Sequence, residues 1–259
     1  GDTDANGISI AANSLALNAG TIADLAGNAA SITHDAVADN ASYLVDTAAP
    51  TVSSVAISSA TGGQNSTLNA GDVVSVTVTM SEAVTVTGTP RVTLNVGGTN
   101  RTATYASGSG SSALVFTYTI QSGDTDANGI SIAANSLALN GGSIADTGGT
   151  AATLTHAAVA DNAGYKVDTA SPTVASVVLS AIGAQNGYVN TGDVLVVTVT
   201  MSEAVTVTGV PQVTIDVGGT NRAATYDAAT STATALKFTY TIQDGDTDLN
   251  GVSIAANSL

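Results

Sequence analysis

Apolar and polar residues alternate with a period of two along several short stretches of the chain. Val74, Val76 and Val78 alternate with serine and threonine, and the same pattern recurs over residues 91–96 and 113–120. Such alternation is typical of strands with one buried and one exposed face. Glycine, asparagine and proline separate the stretches, and no stretch has the capped periodicity of an amphipathic helix. The pattern predicts an all-β protein.

The alternation places strands and a core within the sequence. The predicted strands are 51–59, 72–80, 91–96, 101–105 and 113–120. Gly97-Gly98-Thr-Asn100 is the predicted hairpin turn between the third and fourth of them. The predicted core residues are Val76, Val78, Leu94, Phe116 and Tyr118. Short strands with turns every 8–12 residues are typical of an immunoglobulin-like antiparallel β-sandwich.

The chain is internally repetitive. Gly-Asp-Thr-Asp-x-Asn-Gly begins at Gly1, Gly123 and Gly245, which gives a spacing of 122 residues. A unit of that size fits one globular domain and is too long for a solenoid repeat. A proline after Val-Asp-Thr-x-x is typical of a linker leading into a first strand. We therefore predict tandem domains: the C-terminal part of one repeat (1–45), a complete repeat (46–167) and the N-terminal part of the next (168–259).

Charge limits the classes of partner. The formal charge is −15, from 20 acidic and five basic residues. This balance argues against nucleic acid and anionic membrane surfaces as partners, because both require basic patches. It suits a chain that binds divalent cations or one that remains soluble in salty surroundings. The sequence contains no cysteine, which excludes disulfides and thiolate metal sites, and it has no apolar run long enough for membrane insertion.

The repeated acidic segment has the spacing of a calcium loop. Asp124-x-Asp126-x-Asn128-Gly129 matches the first half of an EF-hand loop, in which alternate oxygens converge on calcium. Position twelve is Asn135 instead of glutamate, and the flanking segments are predicted strands, so an EF-hand is rejected. The alternative is that aspartate and asparagine only end strands through side-chain turns.

Counting strands alternately up and down the sandwich suggests which residues complete the site. The count places Asp46 and Glu82 at one pole of the repeat and the Asp124 loop at the other, where the next linker begins. Carboxylates crowded in this way would repel one another without a cation, so we predict Ca²⁺ at each junction. The predicted ligands are Asp124, Asp126, Asn128, Asp168 and Glu203 at one junction, and Asp2, Asp4, Asn6, Asp46 and Glu82 at the preceding one, with Asp161 and Asn162 as further possibilities.

Three further motifs support a family resemblance. They are Asp-Thr-Ala-Ala-Pro-Thr-Val at 46–52, Met-Ser-Glu-Ala-Val at 80–84 and Ala-Asp-Asn-Ala at 160–163. Together they resemble the tandem Ig-like repeats of very large bacterial surface adhesins. The resemblance implies secretion to the cell surface, a rod-like extender role and, in many members, calcium at domain junctions. It does not indicate the adhesion ligand.

These observations favour a structural extender that is not an enzyme, whose partners are the neighbouring repeats of the same chain. His34 and His156 have no second histidine or cysteine nearby, and no nucleophile motif is present. The alternative is a subunit of a self-assembling extracellular filament or layer, in which head 1–45 and tail 168–259 of different copies complement each other. A carbohydrate-binding or hydrolytic module is the weakest interpretation, because no aromatic platform or isolated carboxylate pair is evident.

Overall fold

A computed structural model describes residues 2–259, and over these residues it consists of strands and loops. The chain divides into two compact units, Gly1–Ala170 and Ser171–Leu259. The strands of the first unit are β1 (Thr3–Asp4), β2 (Ile8–Ile10), β3 (Val37–Asn40), β4 (Val45–Asp46), β5 (Val52–Thr61), β6 (Thr67–Leu68), β7 (Val73–Thr87), β8 (Arg91–Val96), β9 (Thr99–Ser107), β10 (Ser111–Thr119), β11 (Thr125–Asp126), β12 (Leu137–Ala138), β13 (Ser143–Ala145) and β14 (Lys166–Asp168). Those of the second are β15 (Val174–Ile182), β16 (Val194–Met201), β17 (Gln212–Val217), β18 (Thr220–Tyr226) and β19 (Ala235–Thr241).

One antiparallel sheet dominates the first unit. Its strand order is β12-β8-β9-β10-β7-β13, and β5 also pairs with β7. β7 is long enough to pair with different strands along its length. Val73–Met80 pairs with β5 and β10, and Thr85–Thr87 pairs with β13. A smaller sheet joins β11, β14 and β6, with β6 and β14 parallel. The predicted strand 72–80 is therefore only the first part of a longer strand.

The hairpin between β8 and β9 has the predicted turn. Val96 pairs with Thr99 across Gly97 and Gly98, which both have positive φ angles, 55° and 85°. Two successive residues of that conformation match the twist of antiparallel strands, and glycine adopts it without steric cost. A Cβ on Gly97 would also lie 1.9 Å from the Thr125 carbonyl oxygen, so this turn packs directly on β11.

The core of the first unit lies between Ile57 and Val167, inside the predicted complete repeat. All five residues predicted for the core are buried, and Phe116 has no exposed surface. Its ring packs edge-to-face on Tyr105, with centroids 5.7 Å apart. Alternation on β7 buries Val74, Val76 and Val78, while the intervening polar residues lie on the opposite face and are only half-buried, as the period of a strand requires.

The second unit repeats the first half of this arrangement. Its sheet has the order β15-β16-β19-β18-β17, and its core is centred on Phe238, Val197 and Ile215. Residues 2–46 form two small antiparallel pairs, β1 with β4 and β2 with β3, whose apolar side chains are largely exposed. The all-β, antiparallel prediction is confirmed. The immunoglobulin-like connectivity and the domain boundaries at 45 and 167 stay predictions.

Within residues 2–259 there is no helix with the length and apolar character needed to span a membrane.

Candidate metal centre

Asp124, the first carboxylate of the repeated acidic segment, is buried in the turn after β10. Its oxygens accept hydrogen bonds from Arg101 Nε at 2.7 Å, the Tyr118 hydroxyl at 2.5 Å and the Gln121 amide at 3.0 Å. Burial alone would raise the pKa of the Asp124 carboxyl, but these three donors outweigh it and lower that pKa below its ordinary value. Burial and the neighbouring carboxylate also raise the pKa of Tyr118 to about 12.

Asp126 fastens two loops to each other. One carboxylate oxygen accepts a hydrogen bond from the Gly97 amide of the β8–β9 turn at 2.7 Å, and the other accepts one from the Gly129 amide at 2.8 Å. Asn128 donates a hydrogen bond to Asp161. The Gly129 bond is a side-chain turn of the kind that forms the alternative to calcium binding, and the other two bonds join this loop to distant segments. The ligand role of Asp124, Asp126 and Asn128 stays a prediction, and the protein donors already bound to their oxygens weigh against it.

The second unit repeats this arrangement. Arg222 pairs with Asp246, and the Tyr240 hydroxyl donates to the same carboxylate at 2.6 Å. Asp248 accepts from the turn amide of Gly218 at 2.9 Å. The same partners recur about 122 residues later. In both units the repeated segment therefore forms an ion pair with arginine, and its second aspartate accepts a hydrogen bond from the hairpin turn.

A different acidic cluster lies at the other pole of the first unit. It consists of Asp46 in the linker strand β4, Glu82 within β7, and Asp146 just after β13. One ligand atom from each residue can be chosen so that all three lie within 4.8 Å of one another. Among residues 2–259, this is the group of three or more histidine, cysteine, aspartate or glutamate residues whose ligand atoms lie close enough together to share one metal ion. We refer to Asp46, Glu82 and Asp146 as the acidic triad.

Backbone pairing brings the three segments of the acidic triad together. The Ser81 amide donates to the Thr51 carbonyl at 2.8 Å, and the Thr51 amide donates to the Ser81 hydroxyl at 2.9 Å, which holds the linker against β7 beside Glu82. Ala145 of β13 pairs with Thr85 of β7, so the next residue, Asp146, lies at the same edge. The juxtaposition of Asp46 and Glu82 predicted from strand counting is therefore observed.

Asp146 is the residue whose environment points to a ligand. It is 5% exposed, and its Oδ2 atom is buried with no hydrogen-bond partner among residues 2–259. Its Oδ1 atom accepts from the Thr150 amide at 2.8 Å, which lowers the pKa of the Asp146 carboxyl. This carboxylate is therefore ionised at neutral pH, and one of its oxygens accepts no hydrogen bond from the part of the chain that the structure describes. Native structures rarely leave a buried polar atom in that state.

The chemistry of the acidic triad fits a hard divalent cation. All the donors are carboxylate oxygens, the ligand type that calcium and magnesium prefer, and no imidazole or thiolate is present. Two oxygens on opposite sides of one calcium ion, each at about 2.3–2.6 Å, are separated by about 5 Å. The spread of the three ligand atoms is thus compatible with a single calcium ion. Asp46 is exposed and Glu82 is half-buried, so solvent can reach the site.

The other predicted ligands lie elsewhere or have protein partners. Asp4 accepts from the Gly7 amide at 2.9 Å, and Asn6 donates to Asp39. Asp2 lies beside the linker, where its carbonyl accepts from the Thr47 amide at 3.2 Å. The Asp168 carboxylate accepts from the Ala170 amide at 3.0 Å, and Glu203 follows β16 in the second unit.

Sequence reasoning missed Asp146, although the sequence contains a signal for it. Ile-Ala-Asp occurs at 22–24 and again at 144–146, so an acidic residue is repeated at this position. The signal was weak because the segment lacks the alternate-oxygen spacing of a calcium loop. Only the pairing of β13 with β7 shows that this aspartate reaches Glu82.

Comparisons of the chain with protein-family models, with curated proteins and with solved structures give no match.

Proposed function

We propose that this chain is a structural extender made of tandem β-sandwich repeats, stiffened by calcium where a linker joins a repeat. The observation that carries the proposal is the acidic triad, which combines a linker residue, Asp46, with two residues of the domain that follows it, Glu82 and Asp146. A cation bound there would fix the linker to the domain. The near-identical 122-residue spacing supports an array that supplies length.

The residues of the acidic triad would each contribute differently to a bound calcium ion. The buried Oδ2 atom of Asp146 offers a dehydrated oxygen that is already held in place. Asp46 uses Oδ1 to accept from the Ala48 amide at 3.0 Å, which orients its carboxylate. Glu82 supplies a longer side chain from the middle of β7. Calcium takes six to eight oxygens, so carbonyls or water would complete the shell.

The proposed location is the bacterial cell surface or the extracellular medium, as the resemblance to adhesin repeats implies. Extracellular calcium is abundant enough for sites of modest affinity. We include no enzymatic activity in the proposal. A self-assembling extracellular filament or layer is the second candidate.

Calcium titration by isothermal calorimetry tests the proposal. The wild-type chain should bind calcium, and Asp146→Asn, which preserves shape but removes the charge, should weaken binding to the first unit at least tenfold. Asp35→Asn is the matched control, since it removes one exposed carboxylate outside the acidic triad. Equal calcium binding by wild type and Asp146→Asn would overturn the assignment of the site. A chain that binds no calcium would overturn the whole mechanism of stiffening.

A further inference from the structure

The turn that begins at Asp146 carries the buried oxygen of the acidic triad. The Asp146 amide donates to the Thr150 carbonyl at 3.1 Å, and the Thr150 amide donates to Asp146 Oδ1 at 2.8 Å. The amide and the side chain of Thr150 both lower the pKa of the Asp146 carboxyl, yet none of residues 2–259 donates a hydrogen bond to its Oδ2 atom. A Cβ on Gly148 would lie 3.3 Å from Oδ1 and 3.8 Å from the Asp46 carbonyl oxygen, so this turn packs against the linker.

The same turn occurs at residues 24–28, with asparagine in place of Thr150. The Asp24 amide donates to the Asn28 carbonyl at 3.0 Å, and the Asn28 amide donates to Asp24 Oδ1 at 2.9 Å, as in the other copy. In addition, the side-chain Nδ2 atom of Asn28 donates to Asp24 Oδ2 at 2.8 Å. These bonds all lie within five consecutive residues and depend on the turn alone. We refer to residues 24–28 and 146–150 as the aspartate turns.

The aspartate turns differ in the group that reaches the second carboxylate oxygen. Both hold Oδ1 through the backbone amide of their last residue. Asparagine at that position also carries two side-chain N–H donors, one of which reaches Oδ2, whereas the threonine hydroxyl sits on a shorter side chain. A buried acceptor without a donor is costly. Asn28 removes that cost from within the chain, and Thr150 leaves it to be removed by another group.

We propose that the residue four positions after the aspartate decides whether an aspartate turn depends on calcium. Asparagine supplies a donor to Oδ2 from the chain itself, whereas Thr150 leaves the Oδ2 atom of Asp146 for a calcium ion from solution. This inference rests on the proposed calcium binding by the acidic triad, and it identifies the residue that controls that binding. Repeats with asparagine and repeats with threonine at this position would therefore respond differently to calcium.

The competition between an amide and a cation has a simple electrostatic basis. The hydrogen of the Asn28 amide carries positive charge and points at Asp24 Oδ2, so it repels a cation bound to the same oxygen. An amide nitrogen 2.8 Å from the oxygen also takes up part of the space around it. Calcium lies at about 2.3–2.6 Å from its ligands. The ion would have to displace the side-chain amide or accept a weakened ligand.

Calcium titration of Thr150→Asn in the full chain tests the proposal. The new amide should reach Asp146 Oδ2 as Asn28 reaches its own aspartate, and the calcium affinity of the first unit should fall about tenfold or more. Thr147→Asn is the matched control, because it places the same side chain in the same turn at an exposed position. Its affinity should stay within about twofold of wild type.

The possible failures of this titration are distinguishable. Equal calcium affinity of wild type and Thr150→Asn would overturn the inference and leave the proposed calcium site standing. The same loss in Thr147→Asn would also overturn it, because the effect would not depend on the position of the amide. A wild-type chain that binds no calcium would overturn the proposed function together with the inference.

Thr150→Val separates the gain of an amide from the loss of the hydroxyl. Valine keeps the shape of threonine and the backbone amide that donates to Asp146 Oδ1, and it brings no donor to Oδ2. The variant should bind calcium within about threefold of wild type. A loss as large as that of Thr150→Asn would show that the threonine side chain itself supports the site, and the proposal would fall.

Hydrogen exchange of the Asp146 amide distinguishes a competing side chain from a damaged turn. This amide donates to the carbonyl of residue 150. Adding a chelator to the wild type should speed its exchange about tenfold, because the acidic triad loses its cation. In Thr150→Asn the chelator should change the rate by less than about twofold, since the side-chain amide remains in place. Faster exchange in Thr150→Asn than in the chelated wild type would show a disrupted turn and would overturn the proposal.

Discussion

Replacing Asp124 by alanine tests whether this carboxylate stabilises the fold or is a calcium ligand. The Asp124 side chain is 1% exposed and accepts hydrogen bonds from Arg101, Tyr118 and Gln121. The substitution leaves the buried Tyr118 hydroxyl without an acceptor, and it also removes the acceptor of the amide of Gln121, which is an exposed residue. We therefore expect Asp124→Ala to destabilise the first unit strongly while calcium binding at the acidic triad persists.

The magnitude follows from the number and burial of the lost bonds. Breaking a buried ion pair by removing one partner costs about 3–5 kcal/mol. The Arg101 side chain is 34% exposed and can turn to water, so its share of that cost is small. The buried Tyr118 hydroxyl loses a bond to a charged group, worth about 1.5–3 kcal/mol, and the exposed Gln121 loses less because water can replace its acceptor. A loss of about 3 kcal/mol in the free energy of unfolding is the resulting expectation.

Amide hydrogen exchange in β10 is the suitable assay, because a chain of two units need not unfold in a single transition. A loss of about 3 kcal/mol corresponds to exchange about 100-fold faster. Asp246→Ala, which removes the equivalent carboxylate of the second unit, should leave the exchange of β10 unchanged. Exchange within about fivefold of wild type, together with the loss of a bound calcium ion, would refute the structural interpretation of Asp124 and restore it as a ligand.

Three other outcomes are expected. Phe116→Ala should reduce the free energy of unfolding of the first unit by about 3–5 kcal/mol, measured by amide hydrogen exchange in β10, since Phe116 is fully buried; a loss below about 1 kcal/mol would contradict the core assignment. The pKa values of Asp124 and Asp246 lie below 3.8, so their stabilisation is complete above about pH 4 and is lost as pH falls through the folded-state values. Thermal unfolding followed from pH 6 to pH 2 should show this loss, and a melting temperature independent of pH would exclude it. Removing calcium by chelation should broaden the distribution of maximum dimensions in small-angle scattering of the chain, and identical curves would mean that calcium does not stiffen it.

Much of the core could be predicted because a strand imposes a period of two. Val76 and Val78 needed no tertiary information, since apolar side chains on alternate residues mark one buried face. The Gly97-Gly98 turn was equally local, because few residue pairs adopt two positive φ angles. The extension of β7 to Thr87 could not be predicted in this way. It depends on pairing with β13, more than 50 residues later in the chain.

The candidate site was harder to predict because two different structures use the same spacing of oxygens. A calcium loop and a side-chain turn both place carboxylates at alternate positions and end at a glycine with positive φ. Gly129 has a φ of 102°, and a Cβ there would lie 1.9 Å from the Asn162 carbonyl oxygen. The glycine is thus required by close packing, whether or not an ion binds. What distinguishes the two structures is which donors reach the oxygens of Asp126, and a sequence does not contain that information.

The distribution of positive charge explains why the two acidic clusters differ. The chain has 20 acidic and only five basic residues. Within residues 2–259 the ion pairs use Arg101 for Asp124 and Arg222 for Asp246. The acidic triad has no ion pair with arginine or lysine in this part of the chain, and the Thr150 amide keeps Asp146 ionised. A cation that paired with its carboxylates would therefore come from solution, and this difference favours the linker over the repeated Asp-x-Asp-x-Asn-Gly loop as the place of the proposed calcium site.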